Sequence, residues 1–178
     1  FTFSMWFKSS LLTGYGEILH LGTTNFNYGY VINVEFISNS KLRLLANATG
    51  TMVVNDYDIT PITYNVWHHF VLTHDSGTTK IYIDSNEEIS YSGDSFILNT
   101  TENYMNRHSV TNQFLPIRAY VDSFSFHSKT LTSGEINTLY SNGFIPLGTL
   151  VQKGSTISET SNIGFGKGVF INKDVSNN

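Results

Sequence analysis

Few residues in this chain carry reactive groups, and His68 and His69 come first, side by side ahead of an apolar run. Neighbouring side chains on a strand point to opposite faces, so the two rings do not chelate one ion. Glu87 and Glu88 are also adjacent and diverge, which denies them the shared face that a glycosidic acid–nucleophile pair requires. No Ser, His and Asp stand in the pattern of a nucleophile elbow. With no cysteine, a thiolate zinc site, a disulfide framework and a cysteine nucleophile are all excluded. The expectation is a non-enzymatic protein. Aromatic residues are the richer resource, at 14% of the chain, and sugar binding uses aromatic faces flanked by hydrogen-bonding groups. Trp6 shares a strand face with Thr2, Ser4 and Lys8, while Tyr28, Tyr57 and Tyr104 lie near predicted loops. These four are the candidate carbohydrate-binding residues. Asn47-Ala48-Thr49 and Asn99-Thr100-Thr101 are sequons in predicted turns or loops, making Asn47 and Asn99 glycan acceptors in a secreted chain.

These side chains must be positioned mainly by strands. Residues 67–84 read as a hairpin: Trp67, His69, Val71 and Thr73 alternate with His68, Phe70, Leu72 and His74, bulky on both faces, so the first strand is central and covered on both sides. Asp75-Ser76-Gly77 supplies the turn. On the returning strand Ile81 and Ile83 face inward, with Lys80, Tyr82 and Asp84 outward. Alternation predicts further strands over 1–8, 17–21, 28–36, 41–46, 51–54, 87–91 and 95–98, a brief one at Tyr104-Met105, and another within 115–126. Residues 56–64 read as a loop containing Pro61. One helix is predicted over about 132–141: Thr132 and Glu135 form a capping box, Leu131 and Ile136 a hydrophobic staple, and Gly143 a stop. The fold class is all-β: a two-sheet sandwich with one short helix.

A length of 178 residues fits one domain, and a start without Met inside a strand suggests a window from a longer chain. No run of about 18 apolar residues occurs. A net charge of −4 with scattered Lys and Arg lacks the clustered basic face that nucleic acid requires.

Four blocks, FTFSMWF, GEILHLG, VWHHFVLTHDSGTTKIYID and YVDSFSFHSKTLTSGEINTLYSNG, together resemble the laminin-G-like and concanavalin A-like lectin/glucanase superfamily. The resemblance implies a jelly roll of two curved antiparallel sheets. The Glu-x-Asp-x-(x)-Glu strand of laminarinase-type relatives and the alginate-lyase motifs are absent. Asp84-Ser85-Asn86 replaces the frequent Asp-Gly, with Asn86 expected to take the left-handed conformation. Calcium binding is implied through Asp122 and backbone carbonyls of a segment holding Gly164, Gly166 and Gly168. That segment, GFGKGVFI, resembles the strand that precedes FTFSMWF in the family, yet here it comes last. The expected organisation is a sandwich over 1–145, a linker over 146–154, and strand residues in 155–178. Those residues either complete their own sandwich by circular permutation or enter the next tandem copy, as in donor-strand addition. The resemblance then implies an extracellular or virion-surface module for adhesion or assembly, a repeating fibre unit whose partners are copies of itself or cell-surface glycans. Carbohydrate binding is the alternative.

Overall fold

A computed structural model describes residues 1–12, 16–22, 31–47, 52–93, 103–105 and 118–143. The strands are β1 (Thr2–Leu11), β2 (Gly16–Gly22), β3 (Val31–Ser38), β4 (Lys41–Asn47), β5 (Met52–Asp58), β6 (His68–Asp75), β7 (Thr78–Ile83), β8 (Asn86–Ser92), β9 (Asn103–Met105) and β10 (Arg118–His127), and the helix is α1 (Ser133–Ser141). Every ladder is antiparallel. One sheet runs β10-β1-β6-β7-β8 and the other β5-β4-β3-β2-β9. Strand β5 continues to Asp58, into the stretch expected as loop. Predicted residues 28–30 and 95–98, the 146–154 linker and residues 155–178 lie outside the described residues.

The core lies between the sheets. Phe3, Met5 and Phe7 of β1, Phe70 and Leu72 of β6, and Ile81 and Ile83 of β7 meet Ile18, Leu19 and Leu21 of β2, Ile32, Val34 and Phe36 of β3, and Leu42 and Leu44 of β4. Strand β6 is the middle strand of its sheet and buried from His68 through His74, as the bulk on both its faces predicts. A second apolar cluster covers its other face: Val71 and Tyr82 pack against Leu131 and Ile136, with Leu139 beside them. Tyr82, expected to point to solvent, is therefore buried. Alternation separates two faces of a strand, but it does not say whether a face meets water or a second layer.

The capping box of α1 is complete. The Thr132 hydroxyl accepts from the Glu135 N–H, and the Glu135 carboxylate accepts from the Thr132 N–H. Gly143 closes the helix at φ 74°, donating to the Tyr140 carbonyl at 2.9 Å. The β6–β7 and β7–β8 hairpins turn in two residues each, Ser76-Gly77 and Asp84-Ser85, with all four φ values positive. That is the mirror-image turn that suits strand twist. The left-handed positions in the second turn are thus Asp84 and Ser85, not Asn86. Because Ile83 pairs with Asn86, Asn86 already belongs to the ladder.

Candidate functional site

Asp84 organises the histidine pair. Its backbone N–H donates to the His69 carbonyl at 2.9 Å, and its Oδ1 accepts from the His69 N–H at 2.8 Å. Its Oδ2 lies 2.6 Å from His68 Nδ1, while His68 Nε2 faces the Thr63 carbonyl at 3.0 Å. Burial pulls the His68 pKa down, but the bonds to Asp84 and Thr63 outweigh it, and the net shift is upward. His69 lies on the opposite face, with Nε2 2.8 Å from Ser4 Oγ. Burial drives its pKa down to about 4, against a smaller raising effect from Asp84. Both rings serve the scaffold.

The sequence-predicted candidates are dispersed. Trp6 is only 8% exposed, its ring 5.0 Å from that of His69 and stacked 5.8 Å from that of Tyr140 on α1. Tyr57 packs against the main core. Tyr104 stands on β9 at the register position opposite His20, and Tyr28 lies outside the described residues. Asp122 stands beside a bulge in β10, where Ser123 takes φ 50° and donates its N–H to Asp122 Oδ1 at 2.6 Å. Gly164, Gly166 and Gly168, the other half of the calcium expectation, fall outside the described residues, as does Asn99. Asn47 ends β4. Among the described residues no three His, Asp or Glu converge as metal ligands.

Two arrangements appear that sequence spacing does not reveal. The first is an aromatic row across β10, β1 and the residue that leads into β6. Lys8 pairs with Tyr120 of β10, and because Phe7 pairs with His68, Trp67 falls opposite Lys8 on the other side. The ammonium lies 5.2 Å from the Trp67 ring centroid and 5.3 Å from that of Tyr120, which is 72% exposed. A partly buried indole, a cation and an open phenol thus share one surface.

The second is a polar row on the face of the other sheet that points away from the core. Glu17 pairs with Glu35, Glu35 with Arg43, and Arg43 with Asp56. His20 pairs with Asn33 in the neighbouring row. A bulge in β2 at Ile18 permits this. It turns Ile18 and Leu19 both into the core, so that Glu17 and His20, three apart in sequence, reach the same outer face. Asn33 Nδ2 donates to Glu17 Oε2 at 3.1 Å and to Glu35 Oε1 at 3.4 Å. Arg43 grips Asp56 with two bonds, Nε at 2.7 Å and Nη2 at 3.1 Å. Glu17 and Glu35 are 0% and 1% exposed. Burial, then repulsion from Glu35, pushes Glu17 up to about 8, although the Asn33 bond favours its charged form. Burial pushes Glu35 up to about 7 against the opposing pull of Arg43 and the Asn33 bond, with Asp56 adding to the rise. Such a pair could hold and exchange a proton near neutrality, but at this burial no glycosidic oxygen reaches it.

The Laminin_G_3 family model, described as the concanavalin A-like lectin/glucanases superfamily, matches residues 1–137. The chain belongs to that superfamily. No curated protein matches this laminin-G-like sequence. Solved structures do match its fold. Domain 4 of AbnA, an extracellular arabinanase from Geobacillus stearothermophilus in complex with arabinotriose, superposes with a TM-score of 0.60 at 16% identity, over 78% of this chain and 65% of that one. Trypanosoma rangeli sialidase matches with 0.58 at 18%, over 78% of this chain and 22% of that one. The binding domain of botulinum neurotoxin serotype G matches with 0.56 at 13%, over 79% and 36% respectively. The laminin-G-like chain thus spans about a fifth of the sialidase and about a third of the neurotoxin binding domain. At these identities the likeness establishes the fold. No described helix is long and apolar enough to cross a membrane.

Proposed function

We propose that this laminin-G-like chain is a non-catalytic carbohydrate-binding domain of an extracellular or virion-surface protein, acting in adhesion. The observation that carries the reading is the row Tyr120–Lys8–Trp67, in which Tyr120 is 72% exposed. A pyranose ring lays its apolar C–H face on such a ring, and a neighbouring ammonium hydrogen-bonds its hydroxyls. Trp6 lacks the exposure for this role. Glycan-array screening followed by calorimetry tests the proposal. Tyr120→Ala and Trp67→Ala, each folded by circular dichroism, should each weaken binding roughly three- to tenfold, the value of one aromatic contact. Absence of glycan binding by the wild type, or unchanged affinity in both variants, overturns it.

An assembly role draws on a different observation. Phe126 pairs with the core residue Phe3, yet Phe126 and Phe124 are 52% and 48% exposed, on the strand that ends the described sheet. An apolar edge of this kind accepts a further strand. We propose that residues 163–171, whose alternation would set Phe165, Lys167, Val169 and Ile171 on one face if extended, supply one from the same chain or the next copy. Deleting residues 155–178 should lower the melting temperature, and light scattering distinguishes a monomer from an exchanged oligomer. An unchanged melt and mass would rule this out.

A further inference from the structure

The polar row of β2 and β3 contains an electrostatic imbalance that the sugar-binding surface does not use. Glu17 Oε1, Asn33 Oδ1 and Glu35 Oε2 are all buried and, among the described residues, none has a hydrogen-bond partner. All three are acceptor oxygens, and each buried acceptor left unmet costs about 1–3 kcal/mol. Two carboxylates paired across adjacent strands also repel one another away from water. The Asn33 amide lies between them and presents its Nδ2 to one oxygen of each.

We infer that Glu17, Asn33 and Glu35 form a calcium site, separate from the surroundings of Asp122. An amide rotation of 180° exchanges the nitrogen and oxygen of Asn33 at almost no change in shape. Asn33 Oδ1 then occupies the position of Nδ2, 3.1 Å from Glu17 Oε2 and 3.4 Å from Glu35 Oε1. Oxygens that share one Ca²⁺ at 2.3–2.6 Å are roughly 3–3.5 Å apart, whereas Mg²⁺, at 2.0–2.1 Å in an octahedron, draws them to roughly 2.9 Å. The spacing matches the larger ion. Once both carboxyls ionise, the two carboxylates and the neutral amide carry a charge of about −2, which a divalent cation cancels, and water completes a coordination shell of six to eight oxygens. A hydroxyl ligand would satisfy acceptors but leave the charge. Glu17 contributes from the bulged strand β2, while Asn33 and Glu35 stand two apart on one face of β3, so the site exists only in the folded sheet.

The test is thermal melting and calorimetry of the chain, stripped with chelator and titrated at pH 8 with CaCl₂ or MgCl₂. Ca²⁺ should raise the melting temperature by several degrees, and more than Mg²⁺ does. Glu17→Gln and Glu35→Gln should each lose at least tenfold in Ca²⁺ affinity, whereas Asp122→Asn should keep it. Asn33→Asp provides a second reading that does not depend on the glutamine variants folding. Its third carboxylate should lower the metal-free melting temperature and enlarge the rescue by Ca²⁺. No Ca²⁺ shift in the wild type, a shift lost in Asp122→Asn but kept in Glu17→Gln, or an Asn33→Asp variant that Ca²⁺ fails to rescue would each overturn the assignment.

Discussion

Asp84 sits at φ 50° in a two-residue turn and reaches back to two consecutive histidines, bonding the main chain of one and the ring of the other. Asp84→Asn tolerates the backbone angle and keeps an acceptor for the His69 N–H, but it removes the charge facing His68. Loss of that charged bond should cost about 1.5–3 kcal/mol in denaturant melts near pH 6, and less at higher pH. The pH dependence follows from the raised His68 pKa: its contribution is full below the unfolded value of 6.5 and fades as pH rises through the folded value. His69 behaves in the opposite sense. With its folded pKa near 4 and an unfolded value of 6.5, the stability it contributes is present above pH 6.5 and is lost as pH falls towards 4. A His69→Phe variant should therefore flatten the fall in melting temperature between pH 6.5 and 4. An unchanged slope would remove His69 as its source. The adjacency of the two histidines was enough to predict opposite faces and no shared metal. Their partners Asp84, Thr63 and Ser4 were not legible, because two of the three ring bonds span 16 and 65 residues.

Helix α1 and strand β2 illustrate the two ways an element takes shape. The ends of α1 are encoded locally by Thr132, Glu135 and Gly143, all visible in the chain. Thr132→Ala should cost about 1 kcal/mol, and Ile136→Ala, deleting a fully buried side chain against Val71 and Tyr82, about 2–5 kcal/mol. A thermal melt that ranked them the other way would mean that the helix is held by its cap rather than by its packing. In β2, the run Glu17-Ile18-Leu19-His20-Leu21 breaks simple alternation, and only the bulge explains which residues face the core. The bulge also makes Glu17 a neighbour of Glu35. Both carboxyls have folded pKa values raised above the ordinary 4.5, to about 8 and about 7. The stability they contribute is complete below pH 4.5 and is lost as pH rises through 7 and 8. Chelator-treated protein should therefore melt lower at pH 8.5 than at pH 6.5, and Glu17→Gln or Glu35→Gln should reduce that difference. An equal difference in both variants would exclude the pair as its cause.

At the scale of the whole molecule, the sandwich has a core between its sheets, a helix-covered outer face on one sheet and, on the outer face of the other, a polar row buried at Glu17, Asn33 and Glu35. The half-exposed Phe124 and Phe126 lie on β10, the edge strand of the described sheet. If residues 163–171 add there, hydrogen exchange should find their amides protected together with those of β10, and Phe126→Ser should lower both protections. Protection in β10 alone would count against strand addition. The sequence alone determined the class of fold, the central place of β6, the turn after it and the capped helix. Each of these rests on period, turn chemistry or capping, which act over a few residues. It also identified the family through blocks that such local rules keep intact. Tertiary structure alone decided which aromatics are open, which carboxylates meet and which outward face is covered. Tyr120 and Lys8 come from two strands and Trp67 from the residue that leads into a third, and Glu17 and Glu35 come from two, so their meeting depends on register. A bulge shifts register by one residue and exchanges the faces of everything beyond it.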